Sequence, residues 1–214
     1  MQLKPILALT QLINENIKPG FTMAEIGCYD GSTTTSYVEK LKQYAGKVHI
    51  VDWFYGNIGA TGTHSYVQDE LVYERFKIIF ANYKEQMIIH RGPSHEQILN
   101  IPDDSLDLCF IDADHRYDYV YKDIELCLPK VKKGGIICGH DMENINILDE
   151  INIKKEWLEK DAVRCEELDI PEELATYSEF HLGVIKAVFD FFGKDIETRP
   201  DQEGQGVPIW IKRL

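Results

Sequence analysis

The sequence has no apolar run long enough to span a membrane, and its first residues do not resemble a secretion signal. Lys4 is the single basic residue before Gln11, and the polar residues Asn14 and Glu15 follow. The five cysteines are odd in number and form no CxxC pair, which argues against a disulfide framework or a cysteine-rich zinc site. We therefore expect a cytoplasmic protein with reduced, structural thiols.

Positive charge is also scarce. Lys and Arg number 23 against 36 Asp and Glu, so the formal net charge is −13 at pH 7. Because this field repels phosphate, neither nucleic acid nor an anionic membrane is expected as the main partner. A small-molecule substrate fits the charge better, and formation of a homo-oligomer is left open.

Repeats, low-complexity tracts and Pro/Ser-rich linkers are absent, so we expect a single domain over residues 1–214. Short apolar segments alternate with helical patterns from Thr22 onward, which is typical of βαβ units. The pattern predicts an α/β fold whose mostly parallel sheet carries helices on both faces. The strands are expected at 22–27, 48–52, 87–91, 106–112 and 135–140.

The chain after the fourth strand has a strong helical pattern. Val120, Ile124, Leu128 and Val131 recur at helical spacing, and Lys132-Lys133-Gly134-Gly135 resembles a basic last turn followed by a glycine stop. This pattern predicts a crossover helix that ends at these glycines.

The segment 143–180 interrupts the alternation of strands and helices and is rich in Glu and Asp. It is interpreted either as a solvated, partly helical insertion or as a lid over the pocket. Beyond it we expect a helix at 182–192, a strand near Ile196 and a last strand at 207–211. The two last strands would form an antiparallel hairpin at the sheet edge.

A glycine loop follows the first strand, in the sequence Glu25-Ile26-Gly27-Cys28-Tyr29-Asp30-Gly31-Ser32-Thr33. Gly27 and Gly31 allow a tight turn and close approach of a ligand, although such a loop can also be only a turn. Its G-x-x-x-G spacing lacks the third glycine of a dinucleotide fingerprint. A pyrophosphate cradle is therefore disfavoured.

Polar residues also follow the second and third strands. Asp52 lies where an acid can accept both ribose hydroxyls of a nucleoside, or can cap the next helix. Ser94 follows Gly92-Pro93 and is a plausible N-cap. Ligands of open α/β sheets bind at these strand ends.

Four motifs occur in order: Glu25-Ile26-Gly27-x-x-x-Gly31, Asp52, Gly92-x-Ser94 and Phe110-Ile111-Asp112-Ala113-Asp114-His115. From about Met23 to Asp141 the sequence resembles class I S-adenosyl-L-methionine (SAM)-dependent methyltransferases. It is most similar to the branch of catechol and caffeoyl-CoA O-methyltransferases and of macrocin O-methyltransferase and cephalosporin-hydroxylase-like proteins. The resemblance implies a Rossmann-like seven-stranded sheet with a reversed last strand and SAM across its carboxyl edge.

The resemblance also implies roles for individual residues. Glu25 would orient the amino-acid part of SAM through the glycine loop, Asp52 would hold the ribose, and Trp53 would flank the adenine. An aromatic face beside the sulfonium would be attractive by cation–π interaction, although Tyr29 or Trp53 can also be core. The implied cofactor-binding residues are Glu25, Gly27, Tyr29, Gly31, Thr33, Asp52, Trp53, Ser94, His95 and Asp112.

The chemistry is expected at the ends of the fourth and fifth strands. The resemblance implies that Asp112, His140 and Asp141 bind a divalent metal, with a His in place of the usual first member of the pair. One imidazole would weaken Mg²⁺ binding and favour Mn²⁺, Fe²⁺ or Zn²⁺. Alternatively, His140 and Asp141 form a hydrogen-bonded pair that shapes the loop.

His115 is the candidate general base, because it stands where catechol-type enzymes carry a basic Lys. An imidazole can remove a hydroxyl proton near neutral pH, and a bound cation would make that easier. The alternative is a surface His that caps the helix beginning near Tyr117.

The first hypothesis is therefore an O-methyltransferase acting on a small hydroxylated molecule. Two others remain: a nucleotide-dependent oxidoreductase, and a SAM-fold binding or regulatory protein without turnover. The missing third glycine counts against the oxidoreductase.

Overall fold

The computed structural model describes residues 6–54, 66–168, 170, 174, 176–201 and 206–214. The helices are α1 (Leu7–Asn16), α2 (Ser32–Gln43), α3 (Tyr66–Ile79), α4 (Ser94–Gln97), α5 (Tyr117–Cys127), α6 (Ile147–Glu150), α7 (Lys155–Leu158) and α8 (Leu182–Phe192). The strands are β1 (Thr22–Ile26), β2 (Lys47–Asp52), β3 (Met87–Arg91), β4 (Leu106–Ile111), β5 (Val131–Gly139), β6 (Val163–Arg164), β7 (Glu179–Phe180), β8 (Glu197–Arg199) and β9 (Ile209–Arg213).

Seven strands form one sheet in the order β3-β2-β1-β4-β5-β9-β8. The pairs among β1 to β5 are parallel, whereas β9 is antiparallel to β5 and to β8. The predicted Rossmann-like fold with a reversed last strand is therefore confirmed. The order reverses between β1 and β4, which places the carboxyl ends of these strands beside a crevice.

Helices cover both faces of the sheet, because successive strand residues point to opposite sides. In β1, Ala24 and Ile26 belong to a buried cluster with residues of α5 and α8, whereas Met23 belongs to a second cluster with residues of α1, α2 and α3. Cys109 and Cys138 are buried in β4 and β5, as the sequence predicted. No helix in the described ranges combines the length and apolar character needed to cross a membrane.

The predicted end of the helix before β5 is wrong. Helix α5 ends at Cys127, a 3₁₀ turn covers Leu128–Lys130, and β5 already begins at Val131. Pro129 explains the early stop, because proline cannot donate a helical hydrogen bond and its ring blocks the preceding turn. The residues Lys132 and Lys133 therefore lie in a strand rather than in a helical last turn.

The acidic insertion is partly helical, as predicted, and it also contains structure that the sequence did not indicate. It carries α6, α7 and a two-stranded antiparallel sheet of β6 and β7. Ile147, Trp157 and Val163 are buried in the cluster that includes α5 and α8. The insertion is therefore packed against the core and is not a purely solvent-exposed segment. Residues 169, 171–173 and 175 of the insertion lie outside the described part.

The C-terminal elements follow the prediction. Helix α8 has the predicted bounds, β8 begins one residue after Ile196, and β9 overlaps the predicted last strand. The antiparallel pairing of β8 with β9 at the sheet edge confirms the expected hairpin. A single domain over residues 1–214 stays a prediction.

Candidate active site

Backbone strain is concentrated at the carboxyl ends of the central strands. Tyr29, Phe54 and Asp141 have φ values of 46°, 58° and 60°. A positive φ costs free energy in a residue with a Cβ, and such residues cluster at functional sites. Among the described residues, Ala45 and Asp104 also have positive φ and lie elsewhere.

Gly27 is required where β1 meets the end of β4. Its φ is +87°, and a Cβ at this position would lie 2.1 Å from the backbone oxygen of Asp112. Any side chain would therefore separate the two strand ends. The glycine loop brings the first motif into direct backbone contact with the acidic motif after β4.

Asp52 holds the glycine loop from the end of β2. One of its oxygens, Oδ2, accepts hydrogen bonds of 2.7 Å from the backbone N–H groups of Cys28 and Tyr29. The other oxygen accepts the N–H of Phe54. Asp52 thus shapes the loop, and its contact with a ribose stays a prediction.

Glu25 lies beneath the loop and is fully buried. Its carboxyl accepts hydrogen bonds from the hydroxyls of Thr34, at 2.6 Å, and Tyr37. Burial raises the pKa of Glu25 to about 8, so the group is mainly protonated at neutral pH. Thr34 and Tyr37 lie in α2, so Glu25 links the end of β1 to this helix, and its role in orienting SAM stays a prediction.

The remaining predicted cofactor residues differ in their exposure and in their contacts. Tyr29 and Trp53 expose 43% and 51% of their surface, so neither is a core residue. The Thr33 hydroxyl accepts the backbone N–H of Ile6 and is therefore directed towards the chain preceding α1. The predicted N-cap at Ser94 is wrong, because Pro93 occupies that position and Ser94 is the first helical residue.

A cavity of about 240 Å³ lies beside His95 and is also lined by Asp118, Tyr119, Lys122 and Asp123. The Asp123 carboxyl is buried, and neither oxygen has a hydrogen-bond partner among the described residues. Burial raises its pKa to about 7. Asp123 was not predicted from the sequence, although it lies on the buried side of α5.

Acidic and imidazole side chains converge at the ends of β4 and β5. Asp112 Oδ1 lies 3.7 Å from His115 Nε2 and 3.8 Å from His140 Nδ1. Asp141 is closer, with carboxylate oxygens 3.0 Å from His115 Nε2 and 2.9 Å from His140 Nδ1. The four residues that the sequence proposed for metal binding and proton transfer therefore meet at one place.

The charges of this cluster set its protonation. Burial lowers the pKa of both imidazoles, but Asp141 and Asp112 outweigh it at His140 and raise that pKa to about 9. At His115, burial is outweighed by Asp112, Asp161 and Asp141, and the pKa lies well above 6.5. A general base must be neutral before it accepts a proton, so these surroundings do not favour His115 as the base. That role stays a prediction.

Three residues of the cluster were not predicted from the sequence. Asp161 lies in the insertion, and its Oδ1 is 3.0 Å from His115 Nδ1. His181 precedes α8, and its Nδ1 lies 2.5 Å from Oε1 of the buried Glu143. Glu143 follows Asp141 closely in sequence, whereas Asp161 and His181 reach the cluster only through tertiary folding.

The donor atoms fit a divalent ion. Within the described ranges, three groups of residues each place ligand atoms within 4.8 Å of one another: Asp112 with His115 and Asp141, Asp141 with Glu143 and His181, and His115 with Asp161 and His181. Mixed imidazole and carboxylate ligands suit Mn²⁺, Fe²⁺ or Zn²⁺ better than Mg²⁺. His140 belongs to none of these groups, and metal binding by Asp112, His140 and Asp141 stays a prediction.

The sequence of residues 24–142 matches the family model of a methyltransferase domain. This match covers more than half of the chain and contains the glycine loop, Asp52 and the acidic motif. The chain belongs to this methyltransferase family. The resemblance to class I SAM-dependent methyltransferases is thereby confirmed, and a search of curated proteins finds no match to this methyltransferase.

Solved O-methyltransferases share the fold. TomG from Streptomyces achromogenes, involved in tomaymycin synthesis and solved with SAM, has a TM-score of 0.56 at 12% identity over 96% of this chain and 77% of TomG. An O-methyltransferase from Bacillus cereus, solved with S-adenosylhomocysteine (SAH), has a TM-score of 0.56 at 16% identity over 96% and 79% of the two chains. CalS11, a TDP-rhamnose 3′-O-methyltransferase of calicheamicin biosynthesis, has a TM-score of 0.58 at 14% identity over 97% and 78%. At these identities the similarity shows the fold alone.

Proposed function

We propose that the protein transfers the methyl group of SAM to a hydroxyl oxygen of a small molecule. The proposal rests on the contact between the glycine loop after β1 and the acidic motif after β4, which lie at the same edge of the sheet. The strained glycine loop at Gly27 lies against the backbone of Asp112, whose side chain belongs to the acid–imidazole cluster. A cofactor on the loop would therefore lie beside groups able to bind and deprotonate an acceptor.

The loop region suits SAM in shape and in charge. Gly27 and Gly31 both have positive φ and allow the tight turn, and Asp52 fixes the loop backbone. The exposed rings of Tyr29 and Trp53 lie at the ends of β1 and β2 and could face the sulfonium or stack on the adenine. The SAM and SAH complexes of the O-methyltransferases named above support the same cofactor for this chain.

The cluster suits a hydroxyl acceptor, because transfer to oxygen requires loss of the hydroxyl proton. Asp112 offers a carboxylate that can accept this proton, Asp141 can hydrogen-bond the hydroxyl, and the half-buried walls of the cluster limit access of water. A divalent ion held by Asp112, His140 and Asp141 would lower the pKa of the hydroxyl. The activated methyl group of SAM needs little beyond in-line positioning.

The charge of the chain and the insertion support a small acceptor. The net charge of −13 disfavours polyanions. Asp161 of the insertion lies at the cluster, so a lid that closes over the acceptor is part of this proposal. The cytoplasm, where SAM is made and thiols stay reduced, is the proposed location.

The proposal is tested by methyl transfer from radiolabelled SAM to a panel of sugars, glycosides and catechols, with the product position assigned by NMR. We expect an O-methylated product and SAH, and we expect Asp112→Asn to lose most of the activity. Asp103→Asn is the matched control, because this exposed acid lies before β4 and pairs with Lys130. Methylation of carbon or nitrogen only, or no turnover with any acceptor while SAM binds, would contradict the proposal.

A further inference from the structure

His115 presents its two ring nitrogens to two different groups of residues. Nε2 lies 3.0 Å from the buried carboxylate of Asp141, while Nδ1 lies 3.0 Å from Asp161 Oδ1. Despite that short distance, Nδ1 is a buried atom without an aligned hydrogen-bond partner among the described residues. A buried polar atom in this state needs a partner, and an ion or a ligand can supply it.

His181 also has one ring nitrogen beside a buried carboxylate, but here this nitrogen is Nδ1. Its Nδ1 lies 2.5 Å from Glu143 Oε1, and the backbone N–H of His181 donates to the other oxygen of Glu143 at 3.2 Å. Glu143 thus holds the ring in the tautomer with a proton on Nδ1, which leaves Nε2 as the nitrogen able to bind an ion. The rings of His115 and His181 meet edge to face, with centroids 4.7 Å apart.

We propose that His115, Asp161 and His181 form a binding site for a divalent transition-metal ion. One ligand atom from each lies within 4.8 Å of the others. Two ligands about 2.1 Å from an ion are about 3.0 Å apart in octahedral and about 3.4 Å apart in tetrahedral coordination. His115 Nδ1 and Asp161 Oδ1 are 3.0 Å apart, at the lower end of this range. Two imidazoles and one carboxylate favour Zn²⁺, Co²⁺ or Mn²⁺ over Mg²⁺.

The carboxylates behind both imidazoles strengthen this assignment. Histidines that bind metals usually donate their other N–H group to a carboxylate, which fixes the ring and increases its basicity. Asp141 and Glu143 are in position to do this for His115 and His181, and both acids are buried. Asp161 is 60% exposed, so an ion can reach the site from solvent.

The site is distinct from the metal position that the sequence predicted at Asp112, His140 and Asp141. It uses His115 Nδ1, whereas Nε2 is the His115 nitrogen that lies near Asp112 and Asp141, and it takes Asp161 from the insertion. An ion bound there would link the insertion to the loop after β4 and would occupy His115 Nδ1. The inference does not depend on methyl transfer, because it concerns binding of the metal alone.

The test is calorimetric titration of the full-length, chelator-treated protein with Co²⁺, without SAM, together with the visible absorption of bound Co²⁺. We expect Asp161→Asn and His181→Gln each to weaken one Co²⁺ site at least about tenfold and to change its spectrum. Glu159→Gln, which removes one charge from an exposed acid of the same insertion, should leave that site intact. Asp112→Asn should also retain it.

Two results would overturn the proposal. One is equal Co²⁺ affinity in Asp161→Asn and Glu159→Gln. The other is loss of all Co²⁺ binding in Asp112→Asn, because the ion would then occupy the predicted position alone. Circular dichroism in chelator verifies the fold of each variant. If His181→Gln does not fold, Asp161→Asn still tests the proposal, because Asp161 is exposed.

Discussion

At the residue scale, two carboxyl groups beside the glycine loop have opposite environments. Asp52 accepts three backbone N–H groups, whereas Glu25 is buried between two hydroxyls. The sequence indicated both residues through the motifs that contain them. It could not indicate that Asp52 accepts hydrogen bonds from the backbone of the loop, because these contacts depend on how β2 lies against β1.

Asp52→Ala should weaken SAH binding by about 1.5–3 kcal/mol, because hydrogen bonds to a charged group are lost and the loop amides lose their acceptor. Isothermal titration calorimetry measures the change, with Asp103→Ala as the control for removal of an acid. Unchanged SAH affinity in Asp52→Ala would show that Asp52 does not contribute to cofactor binding.

Glu25 should make stability depend on pH. Its folded pKa of about 8 exceeds the ordinary value of 4.5, so its contribution is complete below pH 4.5 and is lost as the pH rises through about 8. In that window the unfolded chain releases a proton that the folded chain keeps, so the free energy of unfolding falls by up to about 1.4 kcal/mol per pH unit.

Urea unfolding of the wild type and of Glu25→Gln at several pH values isolates this term. We expect the stability of the wild type relative to the variant to fall between about pH 5 and pH 8. A difference that stays constant over this range would show that Glu25 ionises normally in the folded protein.

At the element scale, local patterns predicted most of the fold. The apolar segments that became β1 to β4 and α8 carry their periodicity in neighbouring residues, so their bounds were predicted closely. The end of α5 was misplaced because the helical spacing of Leu128 and Val131 continues past Pro129. The proline, rather than the glycines at 134 and 135, ends the helix.

Gly183 tests how tightly α8 packs on the turn before α5. A Cβ there would lie 2.3 Å from the backbone oxygen of His115 and 2.5 Å from the backbone nitrogen of Tyr117. Helix propensity alone would make Gly183→Ala stabilising by about 1 kcal/mol. We expect instead a loss of roughly 1–3 kcal/mol from overpacking, measured by denaturant unfolding. A stabilised variant would mean that α8 lies farther from this turn.

At the scale of the whole molecule, the site joins segments far apart in sequence. The motifs at the ends of β1, β2, β4 and β5 could be assigned to one sheet edge, because parallel strands place their carboxyl ends together. Asp161 and His181 could not be assigned, because their positions depend on how the insertion packs through Trp157 and its neighbours. The sequence therefore predicted the fold and one side of the cluster, while the other side needed the structure.

The central claim is that the glycine loop belongs to a SAM-dependent methyltransferase and holds this cofactor. The most direct test is a pair of calorimetric titrations of the purified protein, one with SAH and one with NAD. The account predicts saturable binding of SAH that Asp52→Ala weakens, and no binding of NAD. Binding of NAD without binding of SAH would contradict it.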